Sequence, residues 1–150
     1  MGRKVDISEL YNLLSENRES YVLVFDVVGL DPVNKNLGRK AGDGVISEAF
    51  RRIDEMAGDN MTVFRIGGDE FALVTGLTDS GEVEKTAQRV ISQNGNTISC
   101  DGKEIPVAVR TGAMKLAGEG AHSLRYGELF DRLQNVVNNS KDESKVNFIS

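Results

Sequence analysis

The chain holds one cysteine, Cys100, and one histidine, His122. A single cysteine excludes an internal disulfide and a multi-cysteine zinc site. A single histidine excludes any two-histidine metal centre. The longest apolar run, Tyr21 to Phe25, is far shorter than the ~20 residues that span a bilayer. Nothing at the N-terminus has the form of a secretory signal. Basic residues are outnumbered, 18 Lys plus Arg against 23 Asp plus Glu, for a net charge of -5. That balance, with no row of aromatics for stacking bases, argues against a nucleic-acid partner. No repeat, low-complexity stretch or Pro-rich linker divides the chain. At 150 residues it fits one domain, residues 1–150, which buries roughly 68–70% of its unfolded surface.

The hydrophobic patterning predicts interleaved helices and strands. Ile7, Leu10, Tyr11, Leu13 and Leu14 share one helical face over residues 6–16. Tyr21 to Val28 is nearly all apolar, as a central strand buried on both faces would be. A polar loop follows, and Asp43 is placed to cap a helix carrying Val45, Ile46, Ala49, Phe50, Ile53 and Met56. Met61–Ile66 and Glu70–Thr75 read as a hairpin around Gly67-Gly68, adjacent glycines that tolerate positive φ. Asp79 with Glu82 resembles a capping box for a helix through Ile91. Asp101-Gly102 marks a second hairpin within residues 96–115, a helix is expected over about 124–140, and Val146–Ile149 is a short closing strand. Together these make a mixed sheet with helices packed on it. Phe25, Phe50, Phe64 and Phe71 are core candidates, Cys100 a half-buried strand residue and His122 a surface one.

Three places carry possible chemistry. Asp26 lies inside the most hydrophobic strand. It is either a strand-end carboxylate bonded to loop amides or one compensated by a cation, since a lone buried carboxylate costs several kcal/mol. Asp69 and Glu70 follow Gly67-Gly68 directly. Such a turn either holds acidic groups for a hard cation, as Mg²⁺ requires of its oxygen ligands, or simply leaves them solvated. The loop from Gly29 to Asp43 joins a strand to a helix, where backbone amides can meet phosphate.

Taken in order, these segments resemble the GGDEF family. Asp26, Val27, Leu30, Val33, Asn34, Gly38, Gly42 and Asp43 fall in register with its pattern D-[IV]-[DN]-x-[FL]-K-x-[IV]-N-D-x-x-G-H-x-x-G-D. Gly67-Gly68-Asp69-Glu70-Phe71 is the motif that names the family, and residues 140–147 are similar to its closing A-K-x-x-G-[RK]-N. The resemblance implies an α/β (α+β) fold, a central, mostly antiparallel sheet flanked by helices, similar to nucleotidyl cyclase and polymerase palm domains. It implies a cytoplasmic diguanylate cyclase domain in which two domains, each holding GTP and Mg²⁺ (or Mn²⁺), meet and form cyclic di-GMP. Asp26, the Val27 carbonyl and Asp69 would hold metal, and Asp69 or Glu70 would help deprotonate the attacking hydroxyl. Asn34 and Asp43 would read guanine. Amides near Leu30 and Asp31, with Lys141 and Lys145, would hold phosphates.

The sequence also departs from the family. Asp31 stands where a phosphate-contacting Lys is usual, Lys35 where Asp is usual, Arg39 for His and Val28 for Asp or Asn; Arg110-Thr111-Gly112 replaces S-[IV]-G. Lys to Asp changes the local charge by two units, each worth roughly 3 kcal/mol at about 5 Å and an effective dielectric near 20. The alternative is therefore a degenerate domain, a catalytically weak or inactive GTP-binding or dimerising regulatory module. A cyclase of another base preference is disfavoured by Asp43, whose carboxylate matches guanine. The family's opening D-x-L-T is not found in the 25 residues before Asp26. The chain is accordingly expected to be a piece of a longer signalling protein with a sensor domain upstream. The inhibitory R-x-x-D is replaced by Gly58-Asp59-Asn60-Met61. A cyclic di-GMP titration should show no tight product binding there; tight binding would overturn that expectation.

Overall fold

The computed structural model describes residues 3–4, 19–58, 61–115, 135 and 146–149. The helices expected over 6–16 and 124–140 lie outside the described residues, except Asn135, as does His122. A six-stranded sheet runs in the order β1-β3-β4-β2-β7-β8. Its strands are β1 (Arg3–Lys4), β2 (Tyr21–Val27), β3 (Thr62–Arg65), β4 (Glu70–Val74), β7 (Val109–Lys115) and β8 (Val146–Ile149). The three inner pairings are antiparallel and the two outer ones parallel. A separate hairpin is formed by β5 (Thr97–Cys100) and β6 (Lys103–Pro106). Asp101 and Gly102 take positive φ at its turn, as a two-residue loop requires.

The expected polar loop after β2 is instead helical. Helix α1 (Leu30–Leu37) and helix α2 (Arg39–Met56) meet at Gly38, whose φ of 92° and ψ of 165° break the run. Asp43 therefore lies inside α2 and does not cap it. Its predicted core face is buried: Val45, Ile46, Ala49, Ile53 and Met56. Helix α3 (Ser80–Ile91) begins as expected, the Asp79 side chain accepting from the Glu82 amide at 3.1 Å. It packs against α2 and lies across β2, β7 and β8. Together α2 and α3 cover the sheet face that bears Leu23, Phe25, Phe71 and Leu73. Val22, Val24, Phe64 and Ala72 are equally buried on the other face. This two-sided burial explains why β2 is apolar without alternation. Cys100 is half-buried on β5, as expected.

One charge sits in this core. Arg52 is 2% exposed and occupies the same helical stripe as Ala49, Ile53 and Met56. Its guanidinium donates to the carbonyls of Val107 (2.7 Å), Asn96 (3.0 Å) and Gln93 (3.1 Å) and to Glu48 (2.8 Å). It thereby ties the segments flanking β5 and β6 to α2. Hydrogen bonds from Arg51 and then Arg52 outweigh burial and hold the Glu48 carboxyl down at about 2. A lowered carboxyl stabilises the fold above its ordinary 4.5, and that contribution is lost as pH falls through about 2. Arg52→Ala removes one charge-assisted donor from each of three carbonyls, which keep backbone partners, and from Glu48, which keeps Arg51. Loss of these charge-assisted bonds should cost about 1.5–3 kcal/mol, a fall in melting temperature on the order of 5–10 °C. Thermal melts at pH 7 read this, and an unchanged midpoint would overturn it.

Candidate active site

Asp26 is the penultimate residue of β2. Its register partners are Glu70 on β4 and Arg110 on β7. Residues in register leave a sheet on the same face. Glu70, Asp26 and Arg110 thus form a row across three strands, on the face opposite α2 and α3. Asp69 joins them through the turn. The Val27 amide donates to the Asp69 carbonyl at 2.8 Å, and the Ile66 amide to the Glu70 carbonyl at 2.9 Å. Arg65 braces the turn, donating to the carbonyls of Gly67 (3.2 Å) and Gly68 (2.6 Å). Neither glycine adopts the positive φ expected from their adjacency. A Cβ at Gly67 would press against the Glu70 carboxylate and displace it from its present position.

One carboxylate oxygen from each of Asp26, Asp69 and Glu70 lies within 4.8 Å of the others. Asp26 responds most clearly. Its carboxyl is raised from 3.8 to about 6, first by burial, then by the charges of Asp69 and Glu70; Arg110 opposes this, and a hydrogen bond with Asp69 adds to it. The Arg110 Nη1 stands 3.9 Å from Asp26 Oδ2. A raised carboxyl favours the fold below its unfolded value, and this contribution is lost as pH rises through about 6. Ionised, the three groups repel, and a divalent cation among them would reverse that cost. Three oxygen donors without nitrogen or sulfur suit Mg²⁺ or Mn²⁺.

Beside the carboxylates opens a cavity of about 410 Å³ lined by Leu30, Asp31, Asn34, Arg39, Gly42, Asp43, Ile46, Arg65, Gly68 and Asp69. Leu30 and Asp31 are the first residues of α1, behind Gly29 at φ 70°. Amides at this position have no partner within the helix and are suited to an anion. Asn34 from α1 and Asp43 from α2 line the same cavity. They are brought together at Gly42, where any Cβ would overlap the Asn34 carboxamide. Lys35 does not line the cavity, whereas Arg39 does. Lys141 and Lys145 lie outside the described residues. Arg65 and Arg110 were not foreseen as part of the site. Alternation along β2 and β7 places Arg110 on the Asp26 face, but only the register shows them side by side.

The GGDEF family model, described as diguanylate cyclase, GGDEF domain, matches residues 5–146, and the chain belongs to that family. Diguanylate cyclase DosC of Escherichia coli (strain K12) is 31% identical over 103 residues, covering 65% of this chain and 22% of DosC. Cyclic di-GMP phosphodiesterase NbdA of Pseudomonas aeruginosa is 25% identical over 117 residues, 78% of this chain and 15% of NbdA. The chain thus spans about a fifth or less of these relatives. The GGDEF-only structure of YfiN (TpbB) from Pseudomonas aeruginosa superposes with a TM-score of 0.77 at 19% identity, over 97% of this chain and 90% of that one. The fold is the palm-like one expected, a central sheet flanked by helices.

The raised Asp26 carboxyl has a measurable consequence. A metal must displace its proton, so Mn²⁺ affinity should fall as pH drops below about 6 and binding should release protons. Calorimetric titration between about pH 5 and about pH 8, in buffers of differing ionisation heat, reads both. An affinity that does not change with pH would overturn this.

Proposed function

We propose that this domain binds GTP with Mg²⁺ (or Mn²⁺) and, facing a second GGDEF domain, condenses two GTP into cyclic di-GMP. One observation carries this reading. Asp26, Asp69 and Glu70 converge beside a cavity that also presents Asn34 and Asp43. The Asp43 carboxylate can accept from N1–H and the exocyclic amine of guanine, and adenine offers no such pair of donors. Asn34 sits alongside to complete the edge. The unpaired amides of Leu30 and Asp31 suit the polyphosphate, with Lys141 and Lys145 contributing from the C-terminal segment.

Asp26, Asp69 and the Val27 carbonyl would hold the cation, which would neutralise the phosphates and polarise the α-phosphate. Asp69 or Glu70 accepts the proton of the attacking 3′-hydroxyl. That oxygen bonds to the α-phosphorus of the other GTP while the bond to pyrophosphate breaks. Each GTP supplies one hydroxyl and one α-phosphate, so the ring closes only between two domains. Held geometry and neutralised charge supply most of the acceleration.

GTP as substrate places the domain in the cytoplasm. Among the described residues no helix is long and apolar enough to cross a membrane, and no membrane contact is assigned to this domain. The acidic balance leaves no role for nucleic acid. An upstream sensor domain fits the greater length of the curated relatives.

A second reading, a weak or inactive GTP-binding or dimerising regulator, is favoured by Asp31. It lines the cavity, and Lys35 does not. Incubating the chain at high concentration with GTP and Mg²⁺, followed by mass spectrometry, separates the two. Cyclic di-GMP is expected, and either Asp69→Ala or Glu70→Ala should abolish it. GTP binding without product would favour the regulator. Product surviving in both variants would sink the assignment.

A further inference from the structure

Arg110 stands where the family pattern has Ser, and its place in the sheet points to a task. It is the β7 register partner of Asp26 and lies in one row with Asp26 and Glu70. Its Nη1 is 3.9 Å from Asp26 Oδ2, too far for a hydrogen bond, so the two interact as charges only. Its Nε is buried and has no hydrogen-bond partner. The side chain is 37% exposed, against 19% for Asp26, so its outer end reaches solvent at the mouth of the carboxylate cluster. A guanidinium has five donors in a planar fork that matches phosphate oxygens. An arginine held beside three carboxylates without a direct hydrogen bond to the nearest of them keeps donors for an anion.

The charge ledger of the site agrees. Asp31 places a negative charge where the family's pattern has a phosphate-contacting lysine. Lys35 does not line the cavity. The Arg65 guanidinium is engaged by the carbonyls of Gly67 and Gly68. Arg39 lines the cavity itself; among the described cations Arg110 is the one set against Asp26 in the carboxylate row, beside that lining rather than in it.

We propose that Arg110 is a phosphate-contacting residue of the nucleotide site, supplying from β7 the positive charge that Asp31 removes from α1. This rests on the reading of the cavity as a GTP site. A fixed cation beside Asp26 has two opposite consequences. It attracts polyphosphate directly, and it repels a divalent ion from the same carboxylates. A purely structural arginine would still repel the divalent ion but would leave metal-free GTP affinity largely unchanged, so the GTP measurement is the deciding one.

The test uses the whole chain and two probes, GTP in EDTA and Mn²⁺ alone, both followed calorimetrically. Arg110→Ser should weaken metal-free GTP binding about tenfold or more, as loss of charge-assisted bonds implies. It should also tighten Mn²⁺ binding about threefold or more. Arg110→Lys keeps the charge and should retain most of the metal-free GTP affinity. Circular dichroism checks that each variant is folded. A folded Arg110→Ser chain with unchanged GTP affinity in EDTA overturns the proposal, as does wild-type chain that binds GTP only with metal. Either result leaves the GTP site standing if Mn²⁺ and GTP together still bind. Wild-type chain that binds neither GTP nor Mn²⁺ overturns the site reading and this inference with it.

Discussion

Three carboxylates held within 4.8 Å of one another are the constraint around which this domain is arranged. Ionised side chains at that spacing repel, and burial of Asp26 sharpens the repulsion by removing water. A flexible loop would relieve the strain by moving one of them away. Here none can move far. Asp26 and Glu70 are locked by strand register. Asp69 is tied through its carbonyl to the Val27 amide, and Arg65 braces the turn from the other side. In the ladder of β2 between β4 and β7, Val22, Leu23, Val24 and Phe25 are fully buried, so the sheet's stability keeps the carboxylates together.

The second half of the site depends on a missing atom. Asn34 and Asp43 come from different helices, and their proximity needs the backbones of α1 and α2 to approach closely. Gly38 breaks the helical run between them, and Gly42 leaves room for the Asn34 carboxamide. The cavity is therefore bounded on one side by sheet and on the other by a bent helix pair. Both are anchored in the same core through Val45, Ala49 and Ile53. Arg52 extends that anchoring to the segments around β5 and β6.

Much of this was legible in the sequence, for identifiable reasons. The apolar run of β2 and the three- and four-residue spacing in α2 record burial, and burial is what hydrophobic pattern reports. The Asp79 cap is a local interaction between residues three apart, so it too can be read locally. The α1 helix was misjudged as loop because Asn, Lys and Pro weaken the local signal, and it has no fully buried residue to impose a period. Gly67-Gly68 marks the turn, but neither residue uses the positive φ that adjacent glycines allow; a Cβ at Gly67 would instead displace the Glu70 carboxylate. Arg52 could have been found, as its position falls on the apolar stripe of α2. The carboxylates were recognised by motif, but their convergence depends on cross-strand register, which the sequence does not carry residue by residue.

Charge placement around the carboxylates follows one rule seen from two sides. A site for polyphosphate needs positive potential near its anion, but it also needs negative charge to hold a divalent ion, and the two demands compete at short range. The helix amides at Leu30 and Asp31 offer partial positive charge without a side chain. With Asp31 turning that end of α1 more acidic, they are weakened as an anion site. Arg110 compensates from a different strand, at a point where register keeps it close to Asp26 without a hydrogen bond that would use up its donors. The same balance can thus be reached from the helix or from the sheet. What the fold requires is the total charge facing the cavity and the rigidity of the elements that carry it.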